Sequence, residues 1–442
     1  MLTRRNLLQT LAAPLAIGAA AGTKYAVFDS RAIESVRNAR LVPGTVRKDA
    51  RPLFAEDKPW EVRVDNVYAN VMFDEELGTF RCWYSPFIQF DDTWDGKKWV
   101  KPAAQPSREM AICYATSKDG VAWEKPELGL VDWRGNKRNN MVWREPHGAG
   151  IFKDARESDP ARRFKMFFNG IRQGRHSEMQ TAFSRDGLRW SPPQLCAEIA
   201  ARGDTHNNAF WDARSGKYVA ITRLIDQTPG KSQRLVGRTE SPDFVHWTKA
   251  VEVLRGDLEK QTYAMPAFPY CGAYLGLVMM FDTRRNVVDC ELAWSPDTVR
   301  WERVCAGTPL IPRGPEGSHD HGCIYGAAYP IERNGELILY YGGNDRGHDG
   351  PRKGFFCRAR TRQDGLVALA SEGDAEIVTR SLPCNGRKLR IAADGDVRVS
   401  VMGSEFNAKA GADIDVTKFQ GRNVQLRFEL RNARLYTFAF TG

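Results

Sequence analysis

Apolar and polar positions alternate along this chain in short runs that come in pairs. The pairs are Asn70–Phe73 with Phe80–Tyr84, Ile151–Phe152 with Phe164–Phe168, Asn208–Trp211 with Lys217–Ile221, Ala264–Phe268 with Leu275–Met279, and Gly326–Tyr329 with Leu337–Tyr341. Short alternating runs joined by turns predict an all-β chain. After each of the first four pairs, or close to it, stands a seven-residue pattern, Ser-x-Asp-x-x-x-Trp: SKDGVAW from Ser117, SRDGLRW from Ser184, SPDFVHW from Ser241 and SPDTVRW from Ser295. A weaker echo, RQDGLVA around Asp364, lacks both the Ser and the Trp. Self-similarity at a period of roughly 40 to 50 residues or somewhat more marks stacked or ring-like units. Five units of four short strands predict a five-bladed β-propeller over residues 61–370.

Asp-Gly and Pro-Asp are turn chemistry, because Gly accepts positive φ and Asp can accept a hydrogen bond from the backbone two residues on. Each motif is therefore a turn. Its Trp (Trp123, Trp190, Trp247, Trp301) is a large apolar anchor that packs one small sheet against its neighbour. Residues 24–60 lead into the first blade and are placed to supply a closing strand. Beyond about Ala370 the motif stops, and the alternating runs Leu389–Ile391, Val397–Val401, Val424–Phe428 and Leu435–Phe440 predict a small C-terminal β-sandwich module over 371–442.

A chain of 442 residues with 42% hydrophobic content is long enough for more than one core. At its start, Arg4-Arg5 precede an apolar stretch and then small residues to Ala21, the order expected of a twin-arginine signal peptide spanning residues 1–21. The expected location is the periplasm or the exterior, and the apolar run is too short for an ordinary membrane span. Nine cysteines, without a C-x-x-C pair, argue against a zinc module or a disulfide framework. The net charge of +10 comes from scattered Lys and Arg with no nucleic-acid-binding signature, so nucleic acid is not an expected partner. A basic surface suits an anionic polysaccharide, or is simply well solvated.

In a propeller the innermost strand of each blade borders the central channel, so residues leading into those strands share one pocket. The residues that align there are Glu61 and Asp65, His147, Asp204 with His206 and Asn207, Glu259 and Gln261, and Glu316, His319, Asp320 and His321. Carboxylates and imidazoles thus recur at one place in unit after unit.

With Trp60-Glu61 in PWE, the repeated turns and the ARLYTFAF ending, the chain resembles the five-bladed β-propeller glycoside hydrolases. These are the superfamily of invertases, levansucrases and arabinanases, and the likeness is greatest to its exported bacterial members. The resemblance implies three channel carboxylates: a nucleophile or base, a transition-state stabiliser and a general acid. By position, Asp65 (alternatively Glu61) matches the first and Asp204 the second, while Glu316, Asp320 and Glu259 are candidates for the acid. The invertase-type N-D-P-N-G, R-D-P and E-C motifs are missing, so fructan specificity is not implied.

Arabinanases of this superfamily hold a calcium ion near the channel centre, which makes calcium or another divalent ion a candidate cofactor, although none is required. His319 and His321, at strand-like i, i+2 spacing around Asp320, are candidate metal ligands, with His147 or His206 across the channel. His147, His206, Asn207, Tyr263, Arg223 and Tyr325 are candidate substrate-binding residues, as are Trp94 and Trp99 in the insertion from Gln89 to Arg108, which forms either a rim or a surface hairpin. Two other functions compete with a hydrolase of poly- or oligosaccharide. One is a non-catalytic glycan- or protein-binding propeller. The other is a sialidase-like enzyme, whose Asp-box turn carries one more residue than this motif and which needs an arginine cluster and a Tyr nucleophile.

Overall fold

The alternating runs pair as antiparallel ladders. In the computed structural model, which describes residues 23–104, 107–172, 175–230 and 232–442, the chain forms two units. One comprises residues 27–29 and 40–370; the other comprises residues 23–26, 30–39 and 371–442. The expected export signal, residues 1–21, lies outside the described residues. No helix among the described residues is long and apolar enough to cross a membrane.

The larger unit is a β-propeller whose strands fall into five antiparallel groups. The first is Asn70–Asp74, Thr79–Tyr84, Arg108–Ser117 and Met141–Arg144; the second is His147–Lys153, Phe164–Arg172, Arg175–Ser184 and Gln194–Leu195. The third is Asn208–Asp212, Lys217–Asp226, Gln233–Ser241 and Val251–Arg255. In the fourth, an inner edge broken into Lys260–Ala264 and Ala267–Tyr270 is followed by Ala273–Asp282, Val287–Ser295 and Glu302–Val304. The fifth contains Cys323–Gly326, Glu336–Asn344 and Gly354–Arg362, and its outer strand is Arg47–Lys48, paired with Arg360 and Ala359. The lead-in segment therefore supplies a closing strand.

The four Ser-x-Asp motifs share one turn geometry. In the first, Asp119 Oδ1 accepts from Val121 N and Ala122 N at 2.8 and 2.9 Å, and Ser117 Oγ accepts from Gly120 N at 2.8 Å. Asp186, Asp243 and Asp297 each accept from the corresponding two backbone amides. The residue after each Asp adopts positive φ, whether Gly120 and Gly187 or Phe244 and Thr298. Around Asp364 the positive φ falls on the Asp itself, so the echo is a different turn.

Each motif indole joins the core between its own group and the preceding one. Trp190 packs in a cluster with Trp83 and Tyr114, Trp247 against Phe167, and Trp301 in a cluster with Phe210 and Val219. Trp123, in the first group, packs on Tyr340 and Phe356 of the fifth, which joins the two ends of the series.

Buried asparagines join inner strands. Asn208 donates to Ala267 O at 2.7 Å and accepts from Ala267 N at 3.0 Å, and Asn70 holds Ala149 O and Ile151 N in the same way. Asn208→Ala is expected to leave two buried backbone groups without partners and to cost about 2 to 4 kcal/mol, read as a lower urea midpoint.

The smaller unit is built on the long pairing of Lys388–Val401 with Leu426–Thr441. Asp374–Thr379 pairs with the second of these strands, and Ile33–Arg37 adds to Asp374–Thr379. Lys24–Ala26 pairs with Thr437–Ala439. Part of the N-terminal stretch thus belongs to this unit, while residues 27–29 and the part from Arg40 onward belong to the propeller unit. Its core includes Ile377, Leu389, Val399, Leu426, Phe428 and Phe438. None of the nine cysteines forms a disulfide, and seven of them are buried.

Candidate functional site

An antiparallel meander places the approach to its first strand and the turn between its second and third strands at the same edge of the sheet. In the propeller unit these segments line a cavity of about 200 Å³. The approaches contribute Arg63, Asp65, Asn66 and Tyr68, then His147, Asp204 and Tyr263. The turns and their flanks contribute Phe90, Trp99 and Arg108 from the first group, Arg223 and Arg234 from the third, and His348, Asp349 and Arg352 from the fifth.

Close backbone contacts fix the approaches. A Cβ on Gly354 would lie 2.0 Å from Val64 O, and one on Gly148, at φ +57°, would lie 1.5 Å from Thr205 O. Only glycine permits either contact. Between these anchors Val67 and Tyr68 turn with positive φ, and Asn344 Nδ2 holds Asp65 O at 2.9 Å.

Two of the expected carboxylates reach the cavity. Asp65 Oδ1 pairs with Arg352 at 2.7 Å and Arg63 at 3.1 Å, and its side chain is 19% exposed. Asp204 Oδ1 lies 2.8 Å from His147 Nε2, its Oδ2 lies 3.6 Å from Arg223, and its side chain is 55% exposed. Burial opposes ionisation of Asp204, but the hydrogen bond and charge of His147, with Arg223 and Arg234, override it and hold the carboxyl far below the usual carboxylate range.

Between these carboxylates lies a polar network. Asn66 Nδ2 donates to the hydroxyls of Tyr68 and Tyr263, at 2.8 Å each, and Asn66 Oδ1 accepts from Arg352 at 3.0 Å. Burial pushes the Tyr68 phenol well above its ordinary value. His348 Nδ1 lies 2.7 Å from the Tyr325 hydroxyl. Burial, then the charges of Arg352, Arg234 and Arg223, push His348 well below the ordinary imidazole value, so it is neutral. Arg63 stacks on Phe90 and Trp99, 4.6 and 4.7 Å from the ring centroids.

The cavity therefore gathers Asp65, Asp204, His147, Arg223, Tyr263 and Trp99 from the residues singled out in the sequence. Trp94 meets Trp99 edge to face at 5.3 Å, and the short hairpin Thr93–Trp94 with Trp99–Val100 forms part of the rim; residues 105–106 of that insertion lie outside the described residues. Tyr325 sits one layer back, behind His348. His206 is buried with its ring 5.4 Å from Tyr68, and Asn207 uses its amide on the backbone carbonyls of Gly148 and Gly203. Neither lines the cavity, because each is spent on packing or on holding the approach to the third group.

The remaining expectations are corrected. Glu61 is fully buried, with both oxygens 2.8 to 2.9 Å from Lys125 Nζ and further donors in Tyr84 OH, Asp57 N and Lys58 N. It is a structural carboxylate within the first group. Asp320 is likewise consumed by Lys48 at 2.7 Å, Tyr341 OH at 2.9 Å and Ser318 Oγ at 3.1 Å, which ties the fifth approach down away from the cavity. Glu316 and Glu259 are exposed and do not line it, and Gln261 instead accepts from Arg234.

His319 packs on Phe355, and neither it nor His321 lines the cavity to which His147 belongs. Among the described residues no group of three or more His, Cys, Asp and Glu side chains is assembled to hold a metal ion. The cavity lining, in which five guanidiniums face three carboxylates, does not fit the calcium or other divalent ion that the resemblance made a candidate.

Arg63, Arg108, Arg234, Arg352, His348 and Asp349 were not among the expected site residues. Apart from Arg63, they come from the second-to-third turns, and the Gly-rich stretch GGNDRGHDGPRKG was the visible signal for the last three.

No model of a known protein family matches the chain, and no curated protein matches it. Among solved structures it is similar to the beta-1,2-mannobiose phosphorylase from Listeria innocua, at 12% identity and a TM-score of 0.51, over 72% of this chain and 97% of that one. That likeness supports the fold. An N-acetylgalactosamine deacetylase from F. plautii in complex with blood group B trisaccharide matches at 16% identity and a TM-score of 0.47, over 74% of this chain and 96% of that one. An exo-beta-1,3-galactanase from Phanerochaete chrysosporium matches at 10% identity and a TM-score of 0.39, over 87% and 99% of the two chains.

Proposed function

We propose that this protein is an exported glycoside hydrolase that cleaves a terminal unit from a poly- or oligosaccharide carrying negative charge. The observation that carries this reading is the convergence of Asp65 and Asp204 on one small cavity, each set among cationic partners. A glycosidic bond breaks when its departing oxygen is protonated while the oxocarbenium-like carbon is attacked or stabilised from the other side. Asp204, ionised beside His147, suits the attacking or stabilising role, and so does Asp65. Asp349 is the remaining carboxyl of the cavity; it forms no ion pair among the described residues and is exposed at the rim, where the leaving group would depart. It is therefore our candidate for the acid.

A cavity of about 200 Å³ suits one end of a chain better than a long run of sugar units. The excess of guanidiniums favours an acidic sugar. Export rests on Arg4-Arg5 and the apolar stretch behind them.

A sialidase-like enzyme would find its arginine cluster here. Tyr68 is a poor nucleophile for it, because burial keeps the phenol protonated and no carboxylate accepts its proton. The test is reducing-sugar release from neutral, uronic and sulfated glycans, by the protein and by Asp204→Asn. Release that depends on Asp204 supports the hydrolase. Glycan binding that survives the change, with no release from any glycan, favours a non-catalytic propeller.

A further inference from the structure

Arg234 differs from the other guanidiniums of the cavity. Arg63 and Arg352 share Asp65, Arg108 pairs with Asp92 at 2.7 Å, and Arg223 approaches Asp204. Arg234 makes no ion pair among the described residues. Among the described residues its one side-chain hydrogen bond goes to a neutral acceptor, Gln261 Oε1, at 3.0 Å.

The group is half-buried, with its guanidinium 5.6 Å from the Tyr263 ring centroid and 5.4 Å from that of Phe281. Burial, and then the like charge of Arg223, lower its pKa, and the more distant charges of Asp204 and Asp349 offset this only in part. Arg223 lies beside it, 4.4 Å over the same Tyr263 ring, with its Nε unpartnered. A partly desolvated cation with no carboxylate in direct contact is costly, and a planar oxyanion would satisfy it through paired N–H donors. Gln261 fixes one edge of the guanidinium and leaves the others for a ligand. The aromatic faces of Tyr263, Phe90 and Trp99 in the same cavity suit the apolar face of a sugar ring.

We propose that Arg234, with Arg223, seats the anionic group of the substrate, a carboxylate or a sulfate ester borne on the sugar ring that enters this cavity. This deepens the hydrolase reading and rests on it. Arg234 is thereby a substrate-binding residue that decides between acidic and neutral sugars.

The test is binding by calorimetry to matched sugars: D-galacturonate and D-glucuronate against D-galactose and D-glucose, with galactose 6-sulfate and N-acetylneuraminate as further acids. At least one acidic sugar is expected to bind about tenfold or more tightly than its neutral counterpart. Arg234→Gln is expected to abolish that preference and Arg234→Lys to keep part of it, with unchanged thermal midpoints showing that both variants fold. Preference for the uronates or N-acetylneuraminate identifies a carboxylate, and preference for galactose 6-sulfate identifies a sulfate ester. The proposal is overturned if neutral sugars bind as tightly, if no acidic sugar binds, or if Arg234→Gln retains the preference. Acid-selective binding without cleavage of any glycan would leave the anion seat standing and sink the hydrolase. Asp204-dependent cleavage of a neutral glycan alone would do the reverse.

Discussion

Replacing Asp204 with Asn is expected to slow glycan cleavage by a factor on the order of 10³ while leaving stability within about 1 kcal/mol of the parent protein. The same change at Asp65 is expected to remove activity and also to cost about 3 to 5 kcal/mol of stability. The contrast follows from what each carboxylate compensates. Asp204 is 55% exposed, so water takes over much of the solvation that His147 and Arg223 lose. Asp65 is 19% exposed and faces Arg352, whose side chain is 2% exposed, as well as Arg63. Its amide would leave two poorly hydrated cations beside each other, with Asn66 Oδ1 the nearest remaining acceptor for Arg352. Rates on a cleaved glycan, set beside urea midpoints for both variants, check the pair. An Asp204→Asn protein with undiminished rate would remove that carboxylate from the reaction, and an Asp65→Asn protein of parental stability would show that the guanidiniums need no internal counter-charge.

Acid is expected to weaken the propeller well before its carboxylates titrate. His206 is fully buried, and its pKa is lowered by burial to about 3; His348 is lowered well below the ordinary imidazole value by burial and the neighbouring arginines. Above about pH 6.5 both histidines are neutral whether the chain is folded or not, and neither affects stability. As pH falls below that value the unfolded chain takes up protons that the folded chain refuses, so stability drops by about 1.4 kcal/mol per pH unit for each group. From pH 6.5 to pH 4.5 His206 removes on the order of 2 kcal/mol, and His348 adds to the loss in the same direction. His206→Gln should lower that slope clearly in urea titrations at pH 6.5, 5.5 and 4.5. An unchanged slope would mean that the ring is charged or hydrated in the folded state. Near pH 4 and below, Asp204 adds to the loss in the same direction, because its folded pKa lies below its unfolded one.

The repeated turns were legible in the sequence because each is decided within four residues: a Ser, an Asp that accepts two amides, and a residue able to take positive φ. The strand pairs were legible for a similar reason, since alternation is local. Asp65, Asp204 and His147 could be found because they stand at or just before the start of inner strands, where topology alone places them at the channel. Arg234, Arg352, His348 and Asp349 follow from the same topology taken one step further, since the second-to-third turn of each group opens at the same edge. Glu61 and Asp320 were misread for another reason. What neutralises them is Lys125, 64 residues away, and Lys48, 272 residues away. No local pattern announces that a carboxylate will be consumed by so distant an amine.

The strand Arg47–Lys48 pairs with Ala359 and Arg360, so a segment synthesised early completes a sheet whose adjoining strand emerges some 310 residues later. At about 5 to 20 residues per second, that edge waits roughly 15 to 60 s on the ribosome for its partner. During that interval the fifth group cannot close and Lys48 has no Asp320 to neutralise. The ring is fastened last and without a covalent link. Its readiest route to opening is therefore detachment of this two-residue latch, and a chain shortened past Lys48 would be expected to open from the fifth group first.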